Sequence, residues 1–361
     1  MSSNFPLRYR LTWLPRFLRP SLAGDASGFA PPTAQWLGTP PNKSVRLVFI
    51  GDISAVAGPV PPEIDETLRD ILASGDLVVG NCESPVVARP HAPVATRLGT
   101  RHAMKGAYLD GALAAMGVAP DRLVLSLANN HMLDQGVEGF EETLHALAVR
   151  GINHIGTKHR PGAVLPIRGV QVGLLAFTQW RNAAAKTFDS LISTGAALAA
   201  RDWEPLRTMN ADIRCVIPHW DWEFRHFPRP ETRLLAATIA AAGANLIAGH
   251  HAHVLQPVER VGAKTLTAYG LGDFLGTAFA RQPLPARIGA IMVADISADS
   301  ENAGEIFRYA LIPFFRQSTV GGEQLVAVHD LPIPLQTIVF TRIARITGDG
   351  APFPQSIRQP H

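Results

Sequence analysis

Six histidines gathered in three short clusters are the first residues of this chain that could do chemistry. His131 follows Asn129 and Asn130; His219 precedes Trp220 and Trp222, with His226 close behind; His250, His251 and His253 lie within four residues of one another. Asp52 and Glu83 stand in comparable places, each just beyond a short apolar run. Carboxylate, amide and imidazole ligands in one set suit a borderline divalent ion, Mn²⁺, Fe²⁺ or Zn²⁺, rather than thiolate chemistry. One or two such ions would acidify a water molecule and clamp an anionic leaving group, so metal-assisted hydrolysis is the leading reaction class.

These residues are useful only if the chain brings them together. Residues 45–50, 76–80, 123–127, 213–217 and 245–248 read as buried strands. Residues 62–74, 136–150 and 230–242 read as helices, the first opened by Pro62 and the others stopped by Gly151 and Gly243. Helix then strand in alternation implies an α/β fold with right-handed βαβ connections. The five strands end at Asp52, Glu83, Asn130 with His131, His219, and His251 with His253, which is the carboxyl edge where open α/β sheets bind ligands. Beyond His253 the runs 265–269, 288–296, 307–313 and 336–342 read as strands of a second, mostly antiparallel sheet. The expected organisation is an N-terminal arm (1–44), one domain (45–347) and a C-terminal tail (348–361).

Composition excludes several classes. The 361 residues are 47% hydrophobic and 17% charged, enough to fill a large core and too apolar for global disorder. The net charge is +3, with the 33 Lys and Arg dispersed, which is no nucleic-acid footprint. The apolar stretch 234–249 is too short to span a bilayer, so no transmembrane segment is expected. Two cysteines make no disulfide framework and fit buried thiols in a reducing, cytoplasmic setting. The arm carries Arg8, Arg10, Arg16 and Arg19 among Phe5, Tyr9, Trp13 and Phe17, without the unbroken apolar core of a secretion signal. Pro6, Pro15 and Pro20 argue against a long membrane-surface helix there and favour an arm packed on the domain.

The segments Gly51-Asp52, Asn81-Cys82-Glu83-Ser84-Pro85, Ala128-Asn129-Asn130-His131 with Asp134 and Gly136, His219-Trp220 with Glu223, Gly249-His250-His251-Ala252-His253-Val254 and Leu271-Gly272-Asp273-Phe274 together resemble the bacterial capsule synthesis protein CapA family. That family is associated with poly-γ-glutamate production and belongs to the calcineurin-like metallophosphoesterase superfamily. The resemblance implies a four-layer α/β/β/α sandwich with a metal crevice between its sheets. It implies Glu83 as a bridging carboxylate, Asn130, His219 and His251 at one metal position, and Asp52 and His253 at the other. It further implies His131 as proton donor to a leaving group, oriented by Asp134. The expected partner is a small anionic substrate, a phosphoester or a γ-glutamyl or peptide amide.

The chain departs from the pattern in three places. Ser54 stands where metallophosphoesterases carry the histidine of DxH, and Asp221 and Asp273 replace the glycine and asparagine of HWG and GNF. The loop after Glu83, with Arg97 and Arg101, would form a basic flap over an anionic substrate. Trp220, Glu223 and His226 would line another wall. Two other readings stay open: a metal-free isomerase or epimerase using Asp52 and His253 as acid and base, and a non-catalytic accessory protein of polymer synthesis.

Overall fold

The central strands of this chain bury both faces, and the computed structural model shows why. It describes residues 3–348 apart from 21, 23, 25, 30–31, 33–36, 56–59, 98–99, 277–281 and 320–321, so the expected tail, but for Gly348, lies outside the described residues. The strands are β1 (Ser44–Ile53), β2 (Glu63–Ile64), β3 (Leu77–Cys82), β4 (Leu123–Ser126), β5 (Asn153–Ile155), β6 (Gly162–Ile167), β7 (Val170–Thr178) and β8 (Ile213–His219). They continue as β9 (Leu246–Ala248), β10 (Val258–Val261), β11 (Thr265–Ala268), β12 (Asp273–Leu275), β13 (Ile288–Ser297), β14 (Ile306–Thr319) and β15 (Gly322–Ala327). One sheet has the order β2-β15-β14-β13-β1-β3-β4-β5, with β12 paired to the end of β1; the other runs β10-β11-β9-β8-β7-β6.

Period-2 alternation sorts the side chains between layers. In the second sheet, Leu174, Ala176, Cys215, Ile217, Leu246 and Ala248 face inward and share one core with the first sheet. Their neighbours Leu175, Phe177, Val216 and Ile247 face outward onto Leu198, Leu206, Ala236 and Ile239, which lie in or beside the helices Gly195–Ala199, Glu204–Arg207 and Pro230–Ala241. Leu68, Leu109, Met116 and Phe140, from the helices Glu66–Ala73, Gly106–Met116 and Gly136–Ala148, complete the core of the first sheet. The expected α/β/β/α sandwich is therefore the observed layering.

The sheets are divided differently from the sequence expectation. β13, β14 and β15 do not form a separate sheet; β13 pairs antiparallel with β1 from Ser44↔Ser297 onward and extends the first sheet. β8 and β9 instead leave that sheet and join β7 and β11 in parallel. Strand propensity fixes that a segment pairs, and only packing fixes with what.

Three elements also need correction. Residues 336–342, read as a strand from their β-branched content, belong to the helix Ile333–Thr347, where Val339, Ile343 and Ile346 bury one face. The helix expected from residue 62 starts at Glu66, because Asp65 caps it by accepting from the Leu68 amide and Glu63–Ile64 pair with β15. The arm holds a helix, α1 (Leu7–Leu18), with Pro6 at its N-cap and Pro15 inside it. Pro6 sits where no amide is needed, and Pro15 costs one backbone bond that aromatic packing on the domain offsets. No helix among the described residues is long and apolar enough to cross a membrane.

Candidate metal centre between the two sheets

Two glycines let the strand ends converge. A Cβ on Gly51 would lie 1.8 Å from the Gly272 carbonyl, and one on Gly249 would lie 1.9 Å from the Tyr269 carbonyl. Only glycine allows the backbones of β1 and β12, and of β9 and the segment after β11, to approach so closely. Asp52, Glu83 and Asn130 come from the first sheet and His219, His251 and His253 from the second, so the crevice is a seam between sheets. His251 (φ 86°), His253 (φ 54°), Asp221 (φ 62°) and Phe224 (φ 60°) all adopt the left-handed conformation in the segments after β8 and β9. Such strain on non-glycine residues persists where surrounding contacts over-determine the backbone, often at functional sites.

Glu83 is the hub. Its Oε1 lies 3.3 Å from His219 Nε2 and 3.7 Å from His253 Nε2, while Oε2 is buried without a hydrogen-bond partner. Asn130 Oδ1 and both ring nitrogens of His251 are likewise buried and unpartnered. Buried polar atoms normally find partners, so four unpartnered acceptors and ring nitrogens around one crevice fit a ligand set for a cation. Ligand atoms of Glu83, His251 and His253 lie within 4.8 Å of one another, as do those of Asp52, Glu83, His253 and Asp273. The donor chemistry and spacing fit one or two divalent ions.

Asp52 is held by Asn81 Nδ2 on Oδ1 (2.7 Å) and by the His251 amide on Oδ2 (3.3 Å). Burial raises the pKa of both Asp52 and Glu83, as it must for carboxylates removed from water. His253 lies only 3.9 Å from Asp52 and donates from Nδ1 to Asp273 Oδ1 at 2.6 Å instead. Burial pushes His253 down, but the carboxylates of Asp273 and Glu83 prevail and hold it well above the usual imidazole value. Asp52 and His253, the acid and base of the metal-free reading, stand 3.9 Å apart, with Asp273 the closer partner of His253. Asp273, in turn, touches Arg316, a wholly buried guanidinium that also donates to the Gly276 and Ala286 carbonyls.

His131 occupies the rim. Its Nδ1 donates to Asp134 Oδ2 at 2.7 Å, which leaves Nε2 for the cavity. Asp134 Oδ2 also accepts the His102 amide at 2.7 Å, and the two imidazoles stack with centroids 3.5 Å apart. His102 lies one residue beyond Arg101, in the loop after Glu83. Burial and the neighbouring His131 hold the His102 pKa well below 6.5, so below that pH the unfolded chain takes up a proton that the folded one does not. Stability from this group is full above pH 6.5 and is lost on acidification. The stability advantage of wild type over His102→Asn should therefore shrink between about pH 7.5 and about pH 5.5, by up to about 1.4 kcal/mol per unit below 6.5, in urea titrations of metal-free protein.

A cavity of about 220 Å³ opens above these residues, lined by Glu83, Asn130, His131, His102, His253, Asp273, Ser54, Asn182 and Gln282 on one side and by Phe5, Tyr9, Trp13, Glu223 and Phe224 on the other. Most of the second wall comes from the arm. Trp13 Nε1 donates to Glu223 Oε2, Arg16 Nε donates to the Glu223 carbonyl at 2.9 Å, and Phe5 stacks on His251 at 5.9 Å. Glu223 Oε1 itself lies 4.0 Å from Nε2 of both His251 and His253. The four-residue spacing of Phe5, Tyr9 and Trp13 carried this signal; the prolines obscured it.

Other expected wall residues lie elsewhere. Trp220 is fully buried, donates to the Tyr269 carbonyl at 2.9 Å and belongs to the core beneath the second sheet. His226 donates to the Leu255 carbonyl at 2.8 Å and faces Arg342 at 3.0 Å, and burial pushes its pKa down to about 4, so it is a structural histidine. Arg97 is exposed, and Arg101 donates to the Asp134 carbonyl and lines a neighbouring cavity. No Lys or Arg is among the described residues lining the central cavity; of this loop it is His102, and not Arg97 or Arg101, that lines it. Asp221 pairs with Arg229 at 2.6 Å. Ser54 is buried beside His102, 3.4 Å from its Nδ1.

Known proteins share this chain's pattern. It is 31% identical over 226 residues to the PGA biosynthesis protein CapA of Bacillus subtilis, covering 59% of this chain and 56% of that protein. It is 28% identical over 256 residues to the capsule biosynthesis protein CapA of Bacillus anthracis, covering 65% and 60%. The chain thus spans little more than half the length of these curated relatives. Among solved structures, a putative 5'-nucleotidase from Staphylococcus aureus superposes with a TM-score of 0.44 at 14% identity, over 83% of this chain and 58% of the other. The profile described as bacterial capsule synthesis protein PGA_cap matches residues 47–278, a span that runs from β1 past β12 and takes in Asp52, Glu83, Asn130, His131, His219, His251, His253 and Asp273, and the chain belongs to that family.

Proposed function

We propose that this chain is a divalent-metal-dependent hydrolase of an anionic substrate, a phosphoester or a γ-glutamyl-type amide, serving the capsule or poly-γ-glutamate metabolism to which its family is linked. The observation that carries the reading is the set of buried, unpartnered atoms on Glu83, Asn130 and His251 around one crevice. Glu83, Asn130, His219 and His251 would hold one ion; Asp52, His253 and Asp273, with Glu83 shared, would hold a second. Three carboxylates at that second position favour Mn²⁺ or Fe²⁺ over Zn²⁺. The chemistry such an ion supplies is Lewis-acid polarisation of a phosphoryl or carbonyl oxygen.

The chain's own residues do the rest. Asp134 accepts from Nδ1–H of His131 and orients the ring; when Nε2 is protonated as well, it gives that proton to the leaving group and returns to the neutral ring. His102 buttresses that ring by stacking, and Asn182 Nδ2, 3.4 Å from His131 Nδ1, closes the same side. The aromatic wall of α1 narrows the mouth and keeps water from the reacting atoms. With no Lys or Arg among the described residues of the lining, attraction for an anion depends largely on the bound cation. We place this activity in the cytoplasm, a reading supported by two buried free cysteines.

Elemental analysis of protein purified without chelators tests the reading, together with Mn²⁺-dependent turnover on a panel of phosphomonoesters and γ-glutamyl amides. One or two equivalents of a transition ion and metal-stimulated turnover are expected. Protein that binds no transition ion after Mn²⁺ or Fe²⁺ loading would end it.

A further inference from the structure

The arm helix α1 is apolar on two opposite faces, and the crevice explains only one. Phe5, Tyr9 and Trp13 point at the domain, whereas Leu7, Leu11, Leu14 and Leu18 point away and are 71%, 70%, 56% and 60% exposed. These four are a third of the twelve large apolar side chains that stand exposed among the described residues, and they share a single element. At about 100° per residue they fall within an arc of roughly 60°. Arg10 borders the arc on one side and Arg8 and Arg19 on the other, all three exposed. The first acidic residue of the chain is Asp25, so no carboxylate lies on this helix.

We propose that the outer face of α1 docks on an anionic phospholipid bilayer, with the leucines entering the headgroup boundary and the flanking arginines pairing with lipid phosphates. Three observations favour this occupant. The face is a convex ridge and not a groove, and a fluid bilayer moulds itself to a ridge where a protein needs a complementary hollow. The charge is of one sign and flanks the apolar stripe on both sides, the arrangement that lets arginine stems snorkel to the headgroups. The 12-residue helix is only about 18 Å long, too small by itself for the roughly 800 Å² per partner of a stable protein interface. Trp13 and Arg16 tie the opposite side of the helix to Glu223, so docking would hold the cavity mouth close to the lipid surface.

Flotation of the full chain with vesicles tests this, using phosphatidylcholine alone against an equimolar mixture with phosphatidylglycerol. Binding is expected to the mixed vesicles only, and to weaken with added salt. Leu11→Glu with Leu14→Glu should reduce partitioning at least about 10-fold; both side chains are exposed, so an unchanged circular dichroism spectrum and melting profile are expected. Arg8→Gln with Arg10→Gln and Arg19→Gln should abolish the preference for phosphatidylglycerol. No binding to either vesicle, or binding unaltered by the leucine pair, overturns the proposal. So does a lipid-free dimer, seen by sedimentation, that the leucine pair dissociates, because the face would then belong to a second copy.

Discussion

Glu83→Ala is expected to weaken Mn²⁺ binding by more than about 100-fold while leaving the fold intact or slightly more stable. Substitution of residues that merely support ligands already costs about 10–100-fold in affinity, and Glu83 sits where both candidate ligand groups meet. Its Oε2 is buried without a partner, and burial raises its pKa, so the metal-free fold bears a desolvation cost that alanine removes. His251→Ala should behave in the same way, because neither ring nitrogen makes a hydrogen bond. His226→Ala is the contrasting case. It should cost about 1–3 kcal/mol by stranding the Leu255 carbonyl, yet leave metal affinity unchanged, since His226 lies outside the cavity lining. Calorimetric Mn²⁺ titration paired with urea denaturation reads both quantities. A Glu83→Ala protein that binds Mn²⁺ like wild type would remove the basis of the proposed function.

Arg316→Met should lose about 3–5 kcal/mol of stability in urea denaturation, the range found when one partner of a buried ion pair is deleted. Its guanidinium is wholly buried on β14 and faces Asp273 at 3.4 Å, so methionine removes the charge on Asp273 Oδ2 and leaves His253, on Oδ1, as the remaining partner. The double variant Arg316→Met with Asp273→Asn should recover part of the loss by removing the stranded charge. Metal affinity should fall about 10–100-fold in each, because Asp273 fixes the His253 ring through Nδ1 and so aims Nε2 at Glu83. If both variants bind metal normally, Asp273 is structural only. Arg316 lies beyond the span matched by the family, so this support of His253 is built from a part of the chain the family pattern does not describe.

Much of the site was legible because strand ends announce themselves. Apolar runs that stop at Asp52, Glu83, Asn130, His219 and His251 report local geometry, and the alternation of runs and helices reports their common edge. What was misread had no local signature. Trp220 and His226 sit within a few residues of His219 and Glu223, but the left-handed turns at Asp221 and Phe224 send neighbouring side chains to different sides, one into the core and the other into the crevice. His102 reaches the site from a loop whose course is set by Asp134 and Gln135, both distant in sequence. Residues 336–342 carry strand-like composition and are helical because the packing of Val339 and Ile343 outweighs propensity.

The sequence by itself determined the layered α/β class and the metal-capable residues at the strand ends, while the orientation of His131 by Asp134 was implied by the family resemblance. The class and the strand-end positions depend on hydrophobic period, turn chemistry and spacing within one segment, all of which act over a few residues. Only the tertiary structure decided which strands share a sheet, that Asp273 takes the Nδ1 proton of His253, and that an N-terminal helix walls the cavity with one face while presenting leucines and arginines on the other. Each of those rests on contacts between segments tens to hundreds of residues apart. There, burial and charge pairing between surfaces choose among arrangements that local propensity leaves equivalent.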